Sequence, residues 1–406
     1  MVALENRSFL FLQTIASPFF LQLGKRIAAD GHAVHKVNFN GGDQLFWHDF
    51  HEIDFRKKPA EFKTFITDQY DRLGITDIIL FGDCRTWHVT AIHIAKILDI
   101  QVWVFEEGYL RPHWVTLETG GVNGNSDFDF PLTKDIPSTD ETAPMGIKSV
   151  GGGLKQRITY DFAYNFYCLF LKWKFPHHKT HRPYVIWHEY STWALRLLKL
   201  TWMRPQAKKI IEALSKRKNP VFLFPLQLDS DSQVRIHSSF KGLEKAIDFV
   251  IKSFAKHADP KAVLLIKNHP LDNGMINYRQ QVQTLSSKLD ISDRVQFIDG
   301  GDLGKILDYC KGVITINSTV GMTALDKQVP VMVLGSAIYA LDGLTATAQD
   351  DAFWTNPCLS DISLYEAFKS ALLEYCHING NFYTKTGIQL AVTNSFSRLM
   401  NSTKVR

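Results

Sequence analysis

The chain has 406 residues, of which 45% are hydrophobic and 21% charged, and a formal net charge of +5. This is ordinary globular material, long enough for two domains or one large one. The charge is too mild to argue for nucleic acid, though it suits an anionic membrane surface or acidic substrates.

Five cysteines (Cys84, Cys168, Cys310, Cys358 and Cys376) show no CxxC spacing. Neither a zinc site nor a disulfide framework is indicated, and a reducing cytoplasm fits best. The run from Ser8 to Leu23 is interrupted by Gln13, Thr14, Ser17, Pro18 and Gln22 and preceded by Glu5, which argues against a signal-peptide core. It reads as strand 8–13, a loop, and a helix opening at Ser17 and Pro18, with Phe20, Leu23 and Ile27 at helical spacing until Gly31. Strand 33–39, a helix over about 59–73, strand 77–81, a helix over 86–98 and strand 101–105 continue the rhythm of a Rossmann-like domain. Residues 153–209 break it, being aromatic and basic. Strands at 220–224, 262–266, 294–298, 312–316 and 330–334, separated by helical patterns, make a second such domain. The division is placed at 204/205, giving domains 1–204 and 205–406, with C-terminal helices expected to pack back on the first. The expected architecture is α/β, two parallel sheets facing a cleft, with ligands outside the carboxyl ends of strands. No stretch approaches the roughly 18 apolar residues of a spanning helix, so membrane contact is expected to be peripheral. Neither GxGxxG nor the P-loop pattern occurs.

Strand 262–266 runs into Lys267, Asn268, His269 and Pro270. An ammonium point charge and an imidazole donor there suit a phosphate; a plain turn set by Pro270 is the alternative. Strand 312–316 leads into Asn317, Ser318, Thr319, Val320 and Gly321 and a helix from about Thr319 to Lys327. Hydroxyls and N–H groups at a helix N-terminus hold phosphate, and Gly321 permits close approach; an ordinary Ser N-cap is the alternative. After strand 220–224, Gln227, Asp229, Asp231 and Arg235 crowd one segment. In an extended chain the two carboxylates point the same way. An aspartate beside an anomeric carbon acts as nucleophile or stabilises an oxocarbenium-like transition state; a solvated acidic loop or an Asp N-cap is the alternative.

Residues Phe162 to His188 contain no Asp or Glu, carry Lys172, Lys174, Lys179 and Arg182, and interleave Tyr, Phe and Trp. Such composition suits an anionic membrane interface, and Arg196, Lys199, Arg204, Lys208 and Lys209 extend it. A core helix with a solvated far face is the alternative. His177, His178 and His181 have no cysteine or acidic neighbour, so no metal is expected there.

Five separated motifs, VNFNGGDQLFW (37–47), FEEGYLRPHWVTLE (105–118) with GGVNGNS (120–126), PLQLDSDSQ (225–233), KNHP (267–270) and NSTVGMTAL (317–325), span most of the chain. In that order they resemble the capsule polysaccharide proteins of the KpsS type, themselves similar to the retaining β-Kdo transferase modules of capsule assembly. The resemblance implies a GT-B-like fold, a CMP-β-Kdo donor, no obligatory metal, and net retention through two displacements. It also implies a glycerophospholipid acceptor, phosphatidylglycerol or a lyso form, a cytoplasmic position peripheral on the membrane, and other capsule assembly proteins as partners. By the same resemblance His269 and Pro270, with Ser318 and Thr319, hold the CMP phosphate. Asp231, aligned through Gln227, is the implied nucleophile and Asp229 its rival, while Lys267 or Arg235 meets the Kdo carboxylate. Gly42, Asp43, Glu106, Glu107 and Arg111 line the implied acceptor side, one carboxylate serving as general base; pinning of the loops is the alternative. An epimerase or hydrolase on the same fold, and a non-enzymatic export or scaffold protein, are the competing functions.

Overall fold

Apolar runs alternating with amphipathic segments build two parallel-rich α/β units in the computed structural model, which describes residues 6–48, 51–130, 148–178, 186–229 and 231–401. The first unit takes residues 1–181 and 368–406, the second residues 182–367. In the first, the order is β1 (Ser8–Phe11), α1 (Phe19–Ala29), β2 (Ala33–Asn38), α2 (Gly41–Leu45), β3 (His51–Asp54), α3 (Phe62–Arg72), β4 (Asp77–Phe81), α4 (Thr86–Ile97), β5 (Gln101–Glu107), β6 (Trp114–Thr119) and α5 (Leu154–Phe170). Strands β3-β2-β1-β4-β5 run parallel. β1 and β4 are buried at every residue because helices cover both faces. Side chains alternate, so Phe9 and Phe11 pack with Phe20 and Leu23 of α1, while Leu10 and Leu12 join Phe62, Ile66 and Trp87 of α3 and α4.

The second unit runs α6 (Ile186–Ser215), β7 (Val221–Pro225), α7 (Ser232–Arg235), α8 (Leu243–His257), β8 (Val263–Asn268), α9 (Tyr278–Lys288), β9 (Val295–Asp299), α10 (Leu303–Leu307), β10 (Gly312–Thr315), α11 (Val320–Asp326), β11 (Val331–Val333) and β12 (Ala346–Thr347). Its six strands are all parallel, in the order β12-β11-β10-β7-β8-β9. From β7 the chain winds outward through β8 and β9, then crosses to the far side of β7 and winds the other way. The reversal lies between β7 and β10, the position at which ligands bind in open parallel sheets. α8 places Leu243, Ala246, Ile247, Val250, Ile251 and Phe254 on one stripe, buried against Phe222, Phe224, Leu264 and Ile266.

The division between units falls inside α12 (Ile362–Tyr375). β13 (His377–Asn379) then pairs antiparallel with β6, itself antiparallel to β5. α13 (Lys385–Asn401) buries Ile388, Ala391, Phe396 and Leu399 in the core that contains α1. The boundary expected at 204/205 therefore lies within a 30-residue helix and is corrected to 181/182, and the second unit ends at residue 367. One aromatic and basic composition had covered two helices, α5 of the first unit and α6 of the second. β5 runs through Glu107, so Glu106 and Glu107 are strand residues and not part of a loop.

His377 ties the returning segment down. Its Nδ1 donates to the Leu372 carbonyl at 2.8 Å and its Nε2 accepts the Leu110 N–H at 3.2 Å. Burial, ahead of the other influences, pushes the ring down from 6.5 to about 4. The folded value lies below the unfolded one, so His377 stabilises the fold above about pH 6.5, and that contribution is lost as pH falls toward 4. Urea unfolding across this window is expected to show a shallower pH slope for His377→Gln than for the wild-type chain; equal slopes would rule out a ring held neutral by the fold.

Candidate functional site

Adjacent strands β10, β7 and β8 send three loops from their carboxyl ends. Gln227 Oε1 accepts the Asn317 N–H at 3.0 Å, and the Leu226 N–H donates to the Lys267 carbonyl at 2.8 Å. Asn317 Nδ2 reaches the carbonyls of Gln233 and His237 at 2.9 and 2.8 Å. Gln227, Lys267 and the Asn317–Ser318 turn are thereby brought together. Lys267 is 7% exposed, and burial pushes its ammonium below its ordinary value against the pull of Asp299 and Asp302. Among the described residues its Nζ has no hydrogen-bond or ion-pair partner. An anion brought to this ammonium would meet a cation that no carboxylate of the described residues neutralises within ion-pair distance. His269 is half-buried, and its Nδ1 accepts the Leu271 N–H at 3.0 Å. The neutral ring therefore carries its proton on Nε2, as a donor. Pro270 is exposed.

Ser318 Oγ accepts the Val320 N–H at 3.2 Å, its N–H donates to Thr315 Oγ1 at 3.1 Å, and its carbonyl takes the Tyr339 hydroxyl. Thr319 stands at the N-cap of α11 without a side-chain cap bond. Gly321 is needed for a reason other than the one expected: a β-carbon there would overlap the Tyr339 hydroxyl. Tyr339 was missed by sequence reasoning, having no local pattern to mark it.

The two aspartates do not share a direction. Asp229 Oδ1 accepts the Leu243 N–H at 3.1 Å and its Oδ2 pairs with Arg235, whose Nε also donates to the Asp229 carbonyl at 2.7 Å. Arg235, expected as a cation for the donor, is thus engaged with Asp229. Asp231, half-exposed, caps α7: its Oδ1 accepts the Gln233 N–H at 3.0 Å, and its carbonyl takes the N–H groups of Val234 and Arg235. A tight turn replaces the extended chain that would have aligned them.

In the first unit the residues expected on the acceptor side divide. Asp43 is fully buried, accepting from the Phe39 N–H at 3.0 Å and the Tyr164 hydroxyl at 3.1 Å. Gly42 packs beneath the Tyr164 ring, which a β-carbon would overlap. Both pin the loop. Glu107 is shared between the Tyr383 hydroxyl at 2.7 Å and Arg157 at 3.1 Å. Glu106 accepts the Glu107 N–H at 3.0 Å, and Arg111, exposed, donates to the Gly108 carbonyl at 3.3 Å.

Asn268, expected at the donor, belongs to a buried charge network that sequence reasoning missed. Its Nδ2 donates to Asp299 at 2.8 Å and Asp272 at 3.2 Å, and its Oδ1 accepts the His269 N–H at 2.9 Å. Arg196 pairs with Asp272, reaches Asp299 at 3.2 Å, and donates to the His269 carbonyl at 3.3 Å. At 8% exposure, Arg196 is not part of the basic surface to which the sequence assigned it. Lys199, Arg204, Lys208 and Lys209 are exposed, whereas Lys179 and Arg182 lie outside the described residues. Breaking a buried pair leaves an uncompensated charge, so Arg196→Ala is expected to lower the unfolding free energy by about 3–5 kcal/mol. Arg279→Ala, which removes a guanidinium 34% exposed from Asp299, should cost less. Urea unfolding ranks the two, and equal losses would dismiss the network as the cause.

The model of the family described as capsule polysaccharide biosynthesis protein matches residues 76–383. The chain is 30% identical over 385 residues to the capsule polysaccharide export protein KpsS of Escherichia coli, covering 94% of this chain and 98% of that one. It is 33% identical over 386 residues to the capsule polysaccharide modification protein LipB of Neisseria meningitidis serogroup B, covering 93% and 92%. Among solved structures, KpsC from Thermosulfurimonas dismutans, a β-Kdo 2,7 transferase, is similar at 14% identity and TM-score 0.47, over 97% of this chain and 100% of that one. By its family match and its full-length relatives, this chain belongs to the capsule polysaccharide biosynthesis family.

Proposed function

We propose that the chain is a retaining β-Kdo transferase that moves Kdo from CMP-β-Kdo to a glycerophospholipid, phosphatidylglycerol or its lyso form, and so starts the lipid linker of the capsule polysaccharide. The observation that supports it most is Lys267, a mostly buried side chain whose ammonium has no hydrogen-bond or ion-pair partner among the described residues, set with the Nε2–H of His269 beside the reversal of a doubly wound sheet. On this reading the CMP phosphate meets Lys267, His269 and the Ser318–Thr319 turn, with Gln227 holding that turn. Charge developing on departing CMP is then stabilised without a strong general acid, and no obligatory metal is invoked.

Asp231 attacks the anomeric carbon on the face opposite the phosphate, and the bond to CMP breaks with its electron pair leaving on the phosphate. The acceptor hydroxyl then attacks the glycosyl-aspartate, gives its proton to a base, and releases the carboxylate; two inversions yield retention. Arg235 and the Leu243 N–H hold the Asp229 oxygens, and the Gln233 N–H holds Asp231 Oδ1, so the choice of Asp231 follows the family resemblance. The chain acts at the inner face of the cytoplasmic membrane beside other capsule assembly proteins; among the described residues no helix is long and apolar enough to cross a membrane.

An export or docking role is the second reading, and the description of the Escherichia coli relative as an export protein favours it. Incubation with CMP-Kdo and a fluorescent phosphatidylglycerol, followed by mass analysis of the lipid, separates them. Asp231→Ala is expected to reduce transfer by about a thousandfold or more while CMP binding persists. His269→Ala should lower both, with turnover down by about a hundredfold to a thousandfold. Near-normal turnover by Asp231→Ala would end the nucleophile assignment, and intact capsule assembly with that variant would favour docking. Donor consumed without a lipid product would point to a hydrolase or epimerase.

A further inference from the structure

For a surface helix, α5 is inside out. Facing inward, the Tyr164 hydroxyl donates to Asp43 and accepts from Asn40 at 2.8 Å and Gln13 at 3.1 Å. Facing outward, Leu154, Ile158, Phe162, Phe166 and Phe170 recur every fourth residue and are 53–65% exposed, and Trp173 just beyond the helix is 76% exposed. At 3.6 residues per turn such a row drifts by about 40° a step, so Phe162, Phe166 and Phe170 share one face while Leu154 and Ile158 lie progressively round the helix. The Phe166 and Phe170 rings stack with centroids 6.3 Å apart.

The charge beside the stripe is one-sided. Between residues 151 and 178 the only carboxylate in the sequence is Asp161, half-buried and accepting from Asn165 at 3.2 Å. Arg157 and Lys174 are engaged with Glu107 at 3.1 Å and Asp54 at 3.0 Å. Lys155 and Lys172 are exposed and have no ion-pair partner among the described residues.

We propose that the outward face of α5 docks on an anionic phospholipid bilayer. The helix lies in the interface, with Phe162, Phe166 and Phe170 beneath the headgroups and Lys155 and Lys172 at phosphate level. Charge argues for this occupant, since cations without carboxylates complement anionic headgroups. Chemistry argues for it too: a protein partner expects about one hydrogen bond per 100–200 Å², and from Phe162 to Phe170 the exposed side chains offer only the Tyr167 hydroxyl. The inference goes beyond the transfer reading and holds whichever reaction the second unit supports.

The test is co-sedimentation of the full chain, without donor, with vesicles of phosphatidylcholine alone and of phosphatidylcholine mixed with phosphatidylglycerol. Phe162→Gln, Phe166→Gln and Phe170→Gln combined are expected to reduce partition onto the mixed vesicles by about tenfold or more. Lys155→Gln with Lys172→Gln should remove mainly the increment that phosphatidylglycerol adds. A second reading needs no folded triple variant: vesicles with brominated acyl chains should quench tryptophan fluorescence less in Trp173→Phe than in the wild-type chain. Wild-type protein that sediments with neither vesicle, or a folded triple variant that sediments normally, overturns the proposal. So does a wild-type dimer that the triple variant dissociates while vesicle binding is unchanged, which would make the face a contact between copies. Turnover on a short-chain soluble acceptor should survive the triple substitution, so loss of transfer and loss of docking are read separately.

Discussion

The hydrogen bond from the Asn317 N–H to Gln227 Oε1 is the joint of the second unit. It spans β7 and β10, the strands between which the winding reverses and whose loops would otherwise part. Gln227 and Asn317 are both buried. Losing the acceptor would strand a buried N–H at about 1–3 kcal/mol, more than the roughly 0.5–1.5 kcal/mol that an ordinary hydrogen bond contributes. From this joint the rest follows locally. Asn317 Nδ2 fixes the Gln233 and His237 carbonyls, hence the turn that Asp231 caps. Tyr339 closes the other side of the turn through the Ser318 carbonyl.

Two cations near the end of β8 are treated in opposite ways, and their chemistry explains why. Arg196 cannot shed its proton, so a buried position requires carboxylates, and Asp272 and Asp299 supply them. Lys267 tolerates burial by a lowered pKa and is left without a partner among the described residues. The first cation holds the backbone of His269 through its carbonyl. The second is the one that an incoming anion would find, and the rigid neighbour keeps the imidazole in register with it.

The parallel strands of both units were legible because burial on both faces leaves unbroken apolar runs such as DIILF and PVFLF. β3, β6, β12 and β13 were not: HEID is polar, WVTLET sits inside a motif, and AT and HIN are only two and three residues long. Loops after strands could be picked out as candidates because the carboxyl-end rule is topological and needs only strand order. What could not be read was anything settled by distant partners. Arg196 meets carboxylates 76 and 103 positions away, and Asp43 is buried by a tyrosine 121 positions later. Gly321 was read as a place of close approach and Gly42 as lining the acceptor side, yet what each glycine meets is a tyrosine. Asp229 and Asp231 were misaligned because local turn bonding overrides the alternation of an extended chain.

The inverted polarity of α5 has an energetic consequence. Its inward polar groups are satisfied, with Cys168 adding a contact to Asn40 at 3.3 Å, so the inward face imposes no unpaired-group cost. The cost is on the outside. Full burial of one such aliphatic or aromatic side chain is worth roughly 1.5–3 kcal/mol, and five of them stand more than half exposed in a row. Because α5 also seals the Asp43 loop, it cannot roll over to hide that stripe without tearing the Tyr164 contacts. The stripe is therefore fixed in place by the polar face behind it, and relief has to come from a surface brought to it.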